Sequence, residues 1–163
     1  MKQAGDYFLE DNLKLKELNL PQLTKVGYSF LGGNKELSQL DLPQLEEVGN
    51  DFLYFNKKLS EINLPQLEEA GDSFLFHNEK LSEINLPQLK KVGVKFLYKN
   101  NYLRRLDLPQ LIEVGLGFLY YNKELSQLNL PQLEEVSDLF FLSHPQREQI
   151  IDIIHKKSEK MKI

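Results

Sequence analysis

The chain repeats one 22-residue unit along most of its length. The stretch NKELSQLDLPQLEEVGNDFLYF at 34–55 returns directly afterwards as NKKLSEINLPQLEEAGDSFLFH, and the asparagine that opens it recurs at Asn12, Asn78, Asn100 and Asn122. Self-similarity at a fixed period of this size is typical of solenoids, in which each coil packs only on its neighbours. We therefore predict that residues 1–163 form a single repeat domain, with coils over about residues 4–143.

Each unit contains one segment with the alternation of a β-strand. In the LSQLDL stretch at 37–42, Leu40 and Leu42 are expected to face inward. Gln39 and Asp41 then face outward. Copies one coil apart can pair only in parallel and in register, about 4.8 Å apart. The pattern therefore predicts one parallel sheet of six such strands along one side, and a return path of turns with extended or 3-10 pieces.

Two further columns of residues are interpreted as structural. Glycine recurs on the return path, as at Gly49, where a side chain would clash or where φ must be positive. The asparagine column, as at Asn56, is expected to point inward. An unsatisfied buried amide costs about 1–3 kcal/mol, so these amides are expected to bond backbone groups of their own and neighbouring coils.

The two ends of the array differ in pattern. Residues 144–160 carry isoleucines at helical spacing and lysines towards their end, which predicts a helix that caps the open core. At the other end no cap is predicted for Phe8, Leu9, Leu13 and Leu15. Missing residues or a second copy of the chain could cover them, so self-association through this end is one hypothesis.

Composition and motifs argue against several kinds of site. There is no cysteine, so disulfides, thiolate metal sites and a cysteine nucleophile are excluded. The net charge of −4 disfavours nucleic-acid binding, and no apolar run is long enough to cross a membrane. His77, His144 and His155 lie in unrelated contexts, so no catalytic triad or HxxxH metal pair can be drawn. We expect neither enzymatic activity nor a cofactor.

The full unit, NxxLxxLxLPQLxxVGxxFLxx, resembles the BspA-like leucine-rich repeats of bacterial surface and secreted proteins, whose unit reads roughly LxxIxLPxxLxxIGxxAFxxC/N. The residues that fall on this pattern in one coil are Leu42, Pro43, Leu45, Val48, Gly49, Phe52, Leu53 and Asn56. Here LPQL is one residue shorter than LPxxL, and phenylalanine stands where the family often has alanine.

The resemblance implies an α/β leucine-rich-repeat solenoid, a β-rich horseshoe ribbon. It implies a parallel sheet on the concave face, an irregular or 3-10 convex side, and a use in binding proteins or host surfaces. It also suggests a bacterial secreted or cell-surface location, although this chain shows no signal peptide at its start.

Two outward surfaces supply the candidate partner-binding residues. On the strand side the candidates are Gln39, Asp41, Glu61, Asn63, Glu83, Asn85, Arg105 and Asp107. Just before each asparagine they are Tyr54, Phe55, Phe76, Tyr98, Tyr120 and Tyr121. The alternative for the first set is a solvated sheet face of stacked amides, and for the second set rings that pack on one another. The column that contains Asn19 and Asp41 also raises a calcium-dependent module as a hypothesis.

One repeat breaks the acidic pattern of the others. Its cations are Lys90, Lys91, Lys95, Lys99, Arg104 and Arg105. One interpretation is charge pairing between neighbouring coils, for example Arg105 beside Glu83 and Lys90 beside Glu68. The other is a docking spot for an acidic partner.

The leading hypothesis is a non-enzymatic module that binds a protein partner. It would use the concave sheet face and the aromatic positions beside it. The alternative is a structural, self-associating segment of a longer repeat stalk.

Overall fold

A computed structural model describes residues 1–134 of the chain and, beyond them, only Glu148 and Asp152. The described residues form a parallel β-solenoid of about six coils, which confirms the predicted repeat architecture. Each coil contains a three-residue strand, a two-residue strand and a segment of turns. The predicted capping helix at 144–160 lies outside the described residues except for those two positions.

The three-residue strands form where leucine or isoleucine alternates with polar residues. They are β2 Glu17–Asn19, β4 Gln39–Asp41, β6 Glu61–Asn63, β8 Glu83–Asn85, β10 Arg105–Asp107 and β12 Gln127–Asn129. They pair in parallel and in register, as in Leu18 opposite Leu40. The prediction of one continuous sheet here is wrong, because these strands pair only two by two, as β2–β4, β6–β8 and β10–β12.

The two-residue strands form the longer sheet. They are β1 Gln3–Ala4, β3 Lys25–Val26, β5 Glu47–Val48, β7 Glu69–Ala70, β9 Lys91–Val92 and β11 Glu113–Val114. All six pair in parallel in chain order, on the return path where we predicted an irregular side. The extended pieces predicted for the return path are confirmed, whereas the irregular side that the resemblance implied is wrong, because these pieces form one sheet. A strand with one exposed and one buried residue, such as Glu47 and Val48, is too short to show periodicity in the sequence.

The segment of turns has an unusual backbone. In one coil Asp51, Leu53 and Phe55 have φ of 57°, 54° and 55°, and equivalent residues in other coils share this left-handed conformation. The conformation costs about 1–2 kcal/mol for a residue with a side chain. Hydrogen bonds between coils offset this cost: Asp51 N–H donates to Asp72 O (2.8 Å) and Leu53 N–H to Phe30 O (3.0 Å). The described residues contain no 3-10 helix.

Phenylalanine and asparagine columns run through the core. The phenylalanine rings at positions 8, 30, 52, 74, 96 and 118 stack nearly parallel, with centroids 5.3–5.8 Å apart. The asparagines of the column are fully buried at Asn34, Asn56, Asn78, Asn100 and Asn122. Asn100 Oδ1 accepts from Asn78 N (3.0 Å), and Asn100 Nδ2 donates to Leu75 O (2.9 Å). The predicted inward, backbone-bonding role of this column is confirmed, but Asn34 Oδ1, Asn56 Oδ1 and Asn78 Nδ2 have no hydrogen-bond partner among the described residues.

The glycine column permits close approach of successive coils. A Cβ built on Gly49 would lie 2.7 Å from both the carbonyl carbon and the oxygen of Gly27. The φ of Gly49 is outside the left-handed region. Of the two reasons predicted for this glycine, the steric clash is therefore correct. At Gly5, in the first coil, a Cβ would meet nothing within 4 Å.

Candidate partner-binding surface

The aromatic ridge consists of the two residues before each buried asparagine in four successive coils. Its members are Tyr54, Phe55, Phe76, His77, Tyr98, Lys99, Tyr120 and Tyr121. In a β-strand, consecutive side chains would point to opposite faces. Here the second residue of each pair has a positive φ, as in Phe55, and both Tyr54 and Phe55 are half-buried with their rings in edge contact. The left-handed backbone thus brings both side chains of a pair to one surface.

The ridge rings pack on one another and remain partly exposed. Phe76 and Tyr98 stack with centroids 5.1 Å apart, and Tyr98 lies 6.3 Å from Tyr120. Across the pairs, Phe55 meets Phe76 at 5.5 Å and Tyr98 meets Tyr121 at 5.2 Å. Tyr121 is nevertheless 48% exposed. Mutual packing, which was the alternative to an interface, therefore leaves the rings available at the surface.

A glycine pair bounds the ridge on its N-terminal side. Gly32 and Gly33 stand where other coils carry the aromatic pair, and the Tyr54 ring occupies the space that a Cβ on Gly32 would need. The Tyr54 hydroxyl reaches across to donate to Glu10 Oε1 at 2.6 Å. Burial, and then this hydrogen bond to a carboxylate, raise the pKa of Tyr54. The sequence analysis missed this bond, which spans two repeats.

Cations lie among the rings further along the ridge. Lys99 Nζ is 5.9 Å from the centroid of Tyr98 and 5.8 Å from that of Tyr121, within cation–π range. Burial, and then the neighbouring Tyr121, raise the pKa of Tyr98. One coil earlier, His77 Nε2 lies 3.3 Å from Glu79 Oε1. Glu79 Oε1 also lies 2.9 Å from Lys57 Nζ. Lys99 adds a positive charge to the ridge.

The long-strand face is the outward side of the three-residue strands. Its predicted residues Gln39, Asp41, Glu61, Asn63, Glu83, Asn85 and Arg105 are exposed, and Asp107 is half-buried. Amides bond within paired strands: Asn85 Nδ2 donates to Asn63 Oδ1 at 2.8 Å, and Asn129 Nδ2 donates to Asp107 Oδ1 at 2.9 Å. These bonds match the stacked-amide interpretation. Within residues 1–134, no group of three His, Cys, Asp or Glu could hold a metal ion.

The basic repeat is divided between two sides of the solenoid. Lys90 Nζ lies 2.8 Å from Glu68 Oε2 and Lys91 Nζ lies 3.0 Å from Glu113 Oε2, so the predicted pairing of Lys90 is confirmed. The predicted pairing of Arg105 with Glu83 is not found, because Arg105 Nη2 lies 3.9 Å from Asp107 Oδ2 in its own coil instead. The other cations of the repeat form no ion pair with described residues.

A shallow groove lies on the outer side of the short strands. Its volume is about 780 Å³, and its lining includes Glu46, Glu47, Glu68, Glu69 and Lys91. The sequence assigned no site to this side, since the Glu-Glu pairs recur in several coils and read as a solvated face. The carboxylates and the Lys91 ammonium of this lining offer charge and hydrogen-bonding groups.

Comparison with known proteins gives one match. A family model described as the BspA type leucine rich repeat region matches six copies, over residues 1–72 and 24–148. Comparison with curated proteins and with solved structures produced no match. In the part of the chain that the structure describes, no helix has the length and apolarity needed to cross a membrane.

Proposed function

Because the chain belongs to the BspA-type leucine-rich repeat family, we propose that it is a non-enzymatic module that binds a protein partner. The contact surface is the aromatic ridge together with the adjoining long-strand face. Leucine-rich repeats commonly mediate protein interactions, and their solenoid is typically a non-enzymatic scaffold. A fold does not define a partner, so the proposal depends on the ridge.

The observation that carries the proposal is a row of half-exposed aromatic rings that are already held in place. Tyr98 contacts Phe76, Tyr120 and Tyr121, so its ring has little rotamer freedom left to lose on binding. Tyrosine is enriched among the residues that dominate binding energies, because a rigid ring buries a large area and its hydroxyl can hydrogen-bond.

The long-strand face supplies a polar border to this surface. Interfaces typically place hydrogen-bonding groups around a more apolar centre. Exposed residues such as Gln39, Glu61 and Glu83 present amides and carboxylates for that purpose. The amides of Asn63 and Asn85 are already bonded to each other, so they are ordered before a partner arrives.

Replacing Tyr121 by serine is expected to weaken partner binding by about tenfold or more, a typical loss for an interface tyrosine. The measurement is affinity capture by the immobilised protein from cell-surface extracts, followed by titration of the purified captured protein. Tyr28→Ser is the matched control, since Tyr28 is 51% exposed but lies outside the ridge. Equal loss in both variants, or no loss with Tyr121→Ser, would contradict the proposal.

A second candidate function is self-association through the first coil. Leu13 is 55% exposed and Tyr7 is 63% exposed, while Phe8 and Leu9 are only partly buried. The counterparts of Phe8 and Leu9 in the next coil, Phe30 and Leu31, are fully buried. Sedimentation at rising protein concentration is expected to show association that Leu13→Asp removes. A clean monomer at high concentration would reject this function.

A further inference from the structure

The fifth coil contains cations that have no carboxylate to neutralise them. Lys90 and Lys91, beside the short strands, are paired with Glu68 and Glu113. Further along the coil, Lys95, Lys99 and Arg104 form no ion pair with any described residue. Among the described residues, Arg105 approaches only the carboxylate of Asp107, at a long 3.9 Å, and the Arg105 side chain is 71% exposed. Of the six cations that are clustered in the sequence, two are therefore neutralised by carboxylates and four remain available to bind a partner.

These four cations, Lys95, Lys99, Arg104 and Arg105, are called the basic stripe. They follow the path of one coil, from the turn segment through the ridge to the start of β10. Gly117 in the next coil has no side chain to cover Lys95. Exposed aromatic surface accompanies the charges, because Tyr102 is 61% exposed at the bend that precedes Arg104.

Acidic residues limit the stripe on both sides. In the preceding coil the exposed Glu83 stands at the position of Arg105, and in the following coil the exposed Glu124 stands at the position of Tyr102. The whole chain has a net charge of −4. A long polyanion such as nucleic acid or an anionic glycan would run from the stripe onto these carboxylates and be repelled. A short acidic segment that crosses the solenoid along one coil would not.

We propose that the basic stripe is the docking site for a short, extended, acidic segment of a protein partner. Carboxylates of that segment bind Lys95, Lys99, Arg104 and Arg105, while an apolar side chain packs against Tyr102. Lys99 is held between Tyr98 and Tyr121, so its charge is positioned before binding. This inference rests on the proposed protein-binding function and specifies the chemistry of the partner at one part of the same surface.

The test uses a fluorescent peptide of alternating glutamate and glycine with one tyrosine, titrated with the full chain by fluorescence anisotropy. We expect saturable binding that weakens as salt is raised. The double variant Lys99→Gln, Arg104→Gln is expected to bind about tenfold more weakly, because it removes two of the four available charges.

The matched control is the double variant Lys90→Gln, Lys91→Gln, which removes the same charge from the same coil but on the opposite side. It is expected to bind within about twofold of the wild type, because those cations are already paired. Equal weakening in both variants, or no binding of the peptide, overturns the proposal. Preferential binding of a heparin fragment also overturns it, as does a stripe-dependent self-association in sedimentation.

The two proposals can fail separately. If Tyr121→Ser abolishes capture of a natural partner while the stripe variant retains it, the ridge binds and the acidic-segment inference is wrong. If neither variant affects capture, the protein-binding surface itself lies elsewhere.

Discussion

Replacing Asn100 by leucine is expected to lower the free energy of unfolding by about 2–5 kcal/mol. The Asn100 amide bonds two buried backbone groups, the N–H of Asn78 and the carbonyl of Leu75. Leucine has a similar size but can bond neither group. Each buried group left without a partner costs about 1–3 kcal/mol, and both lie in coils that must stay stacked. Urea unfolding followed by circular dichroism measures the loss.

The control for this substitution is Asn85→Leu. Asn85 also bonds another asparagine, at 2.8 Å from Asn63, but its side chain is exposed and water can replace the partner. Its cost is expected to be under about 1 kcal/mol. Similar losses for both variants would mean that the buried asparagine column is not what holds successive coils together.

Replacing Gly49 by alanine is expected to destabilise the protein by about 1–3 kcal/mol, the range seen for overpacking. The added methyl would lie 2.7 Å from the backbone of Gly27, closer than van der Waals contact allows. Backbone cannot rotate away as a side chain can, so the two coils must separate locally. The same denaturation experiment, with hydrogen exchange of the amides around Val26, would locate the disturbance.

Gly5→Ala provides the matched control for this change. It occupies the same column, and its added methyl meets no atom within 4 Å because no described coil precedes it. We expect no loss of stability there. If Gly5→Ala is as harmful as Gly49→Ala, then backbone freedom rather than packing between coils explains the glycine column.

The repeat makes much of the core predictable. Phe52, Leu45 and Asn56 each recur in a fixed column, and a buried stack of identical coils needs identical chemistry at each level. The inward direction of Leu42 and the outward direction of Gln39 followed from the alternation of the strand. The recurrence of one residue type every 22 residues therefore indicates which residues meet between coils, and a single unit could not show this.

The backbone between the columns could not be predicted in the same way. Glu47 and Val48 form part of a sheet only through hydrogen bonds to neighbouring coils. A strand of two residues is too short to show the alternation of a β-strand in the sequence. The left-handed conformation of Leu53 and Phe55 has no signature in the sequence, because neither residue is glycine, asparagine or aspartate. Tertiary hydrogen bonds impose it against the local preference of the residues.

The sequence identified the positions of the candidate site but not the geometry of its side chains. The aromatic positions were identified from their place before each asparagine, and their binding role stays a prediction. Their shared surface and the reach of Tyr54 over Gly32 to Glu10 depend on the left-handed turns. The pairing of Lys90 with Glu68 followed from the columns, since the position of Lys90 is a glutamate one coil earlier.

Every strand pairing has the same offset of 22 residues, from Gln3 with Lys25 to Arg105 with Gln127. Each coil consequently presents to the next coil the same backbone hydrogen-bonding groups that the previous coil presents to it. Each added coil therefore lengthens the solenoid by about 4.8 Å, the spacing of neighbouring strands. Because the long strands pair in twos, a gain or loss of two coils preserves every pairing, whereas a single coil leaves one strand edge open.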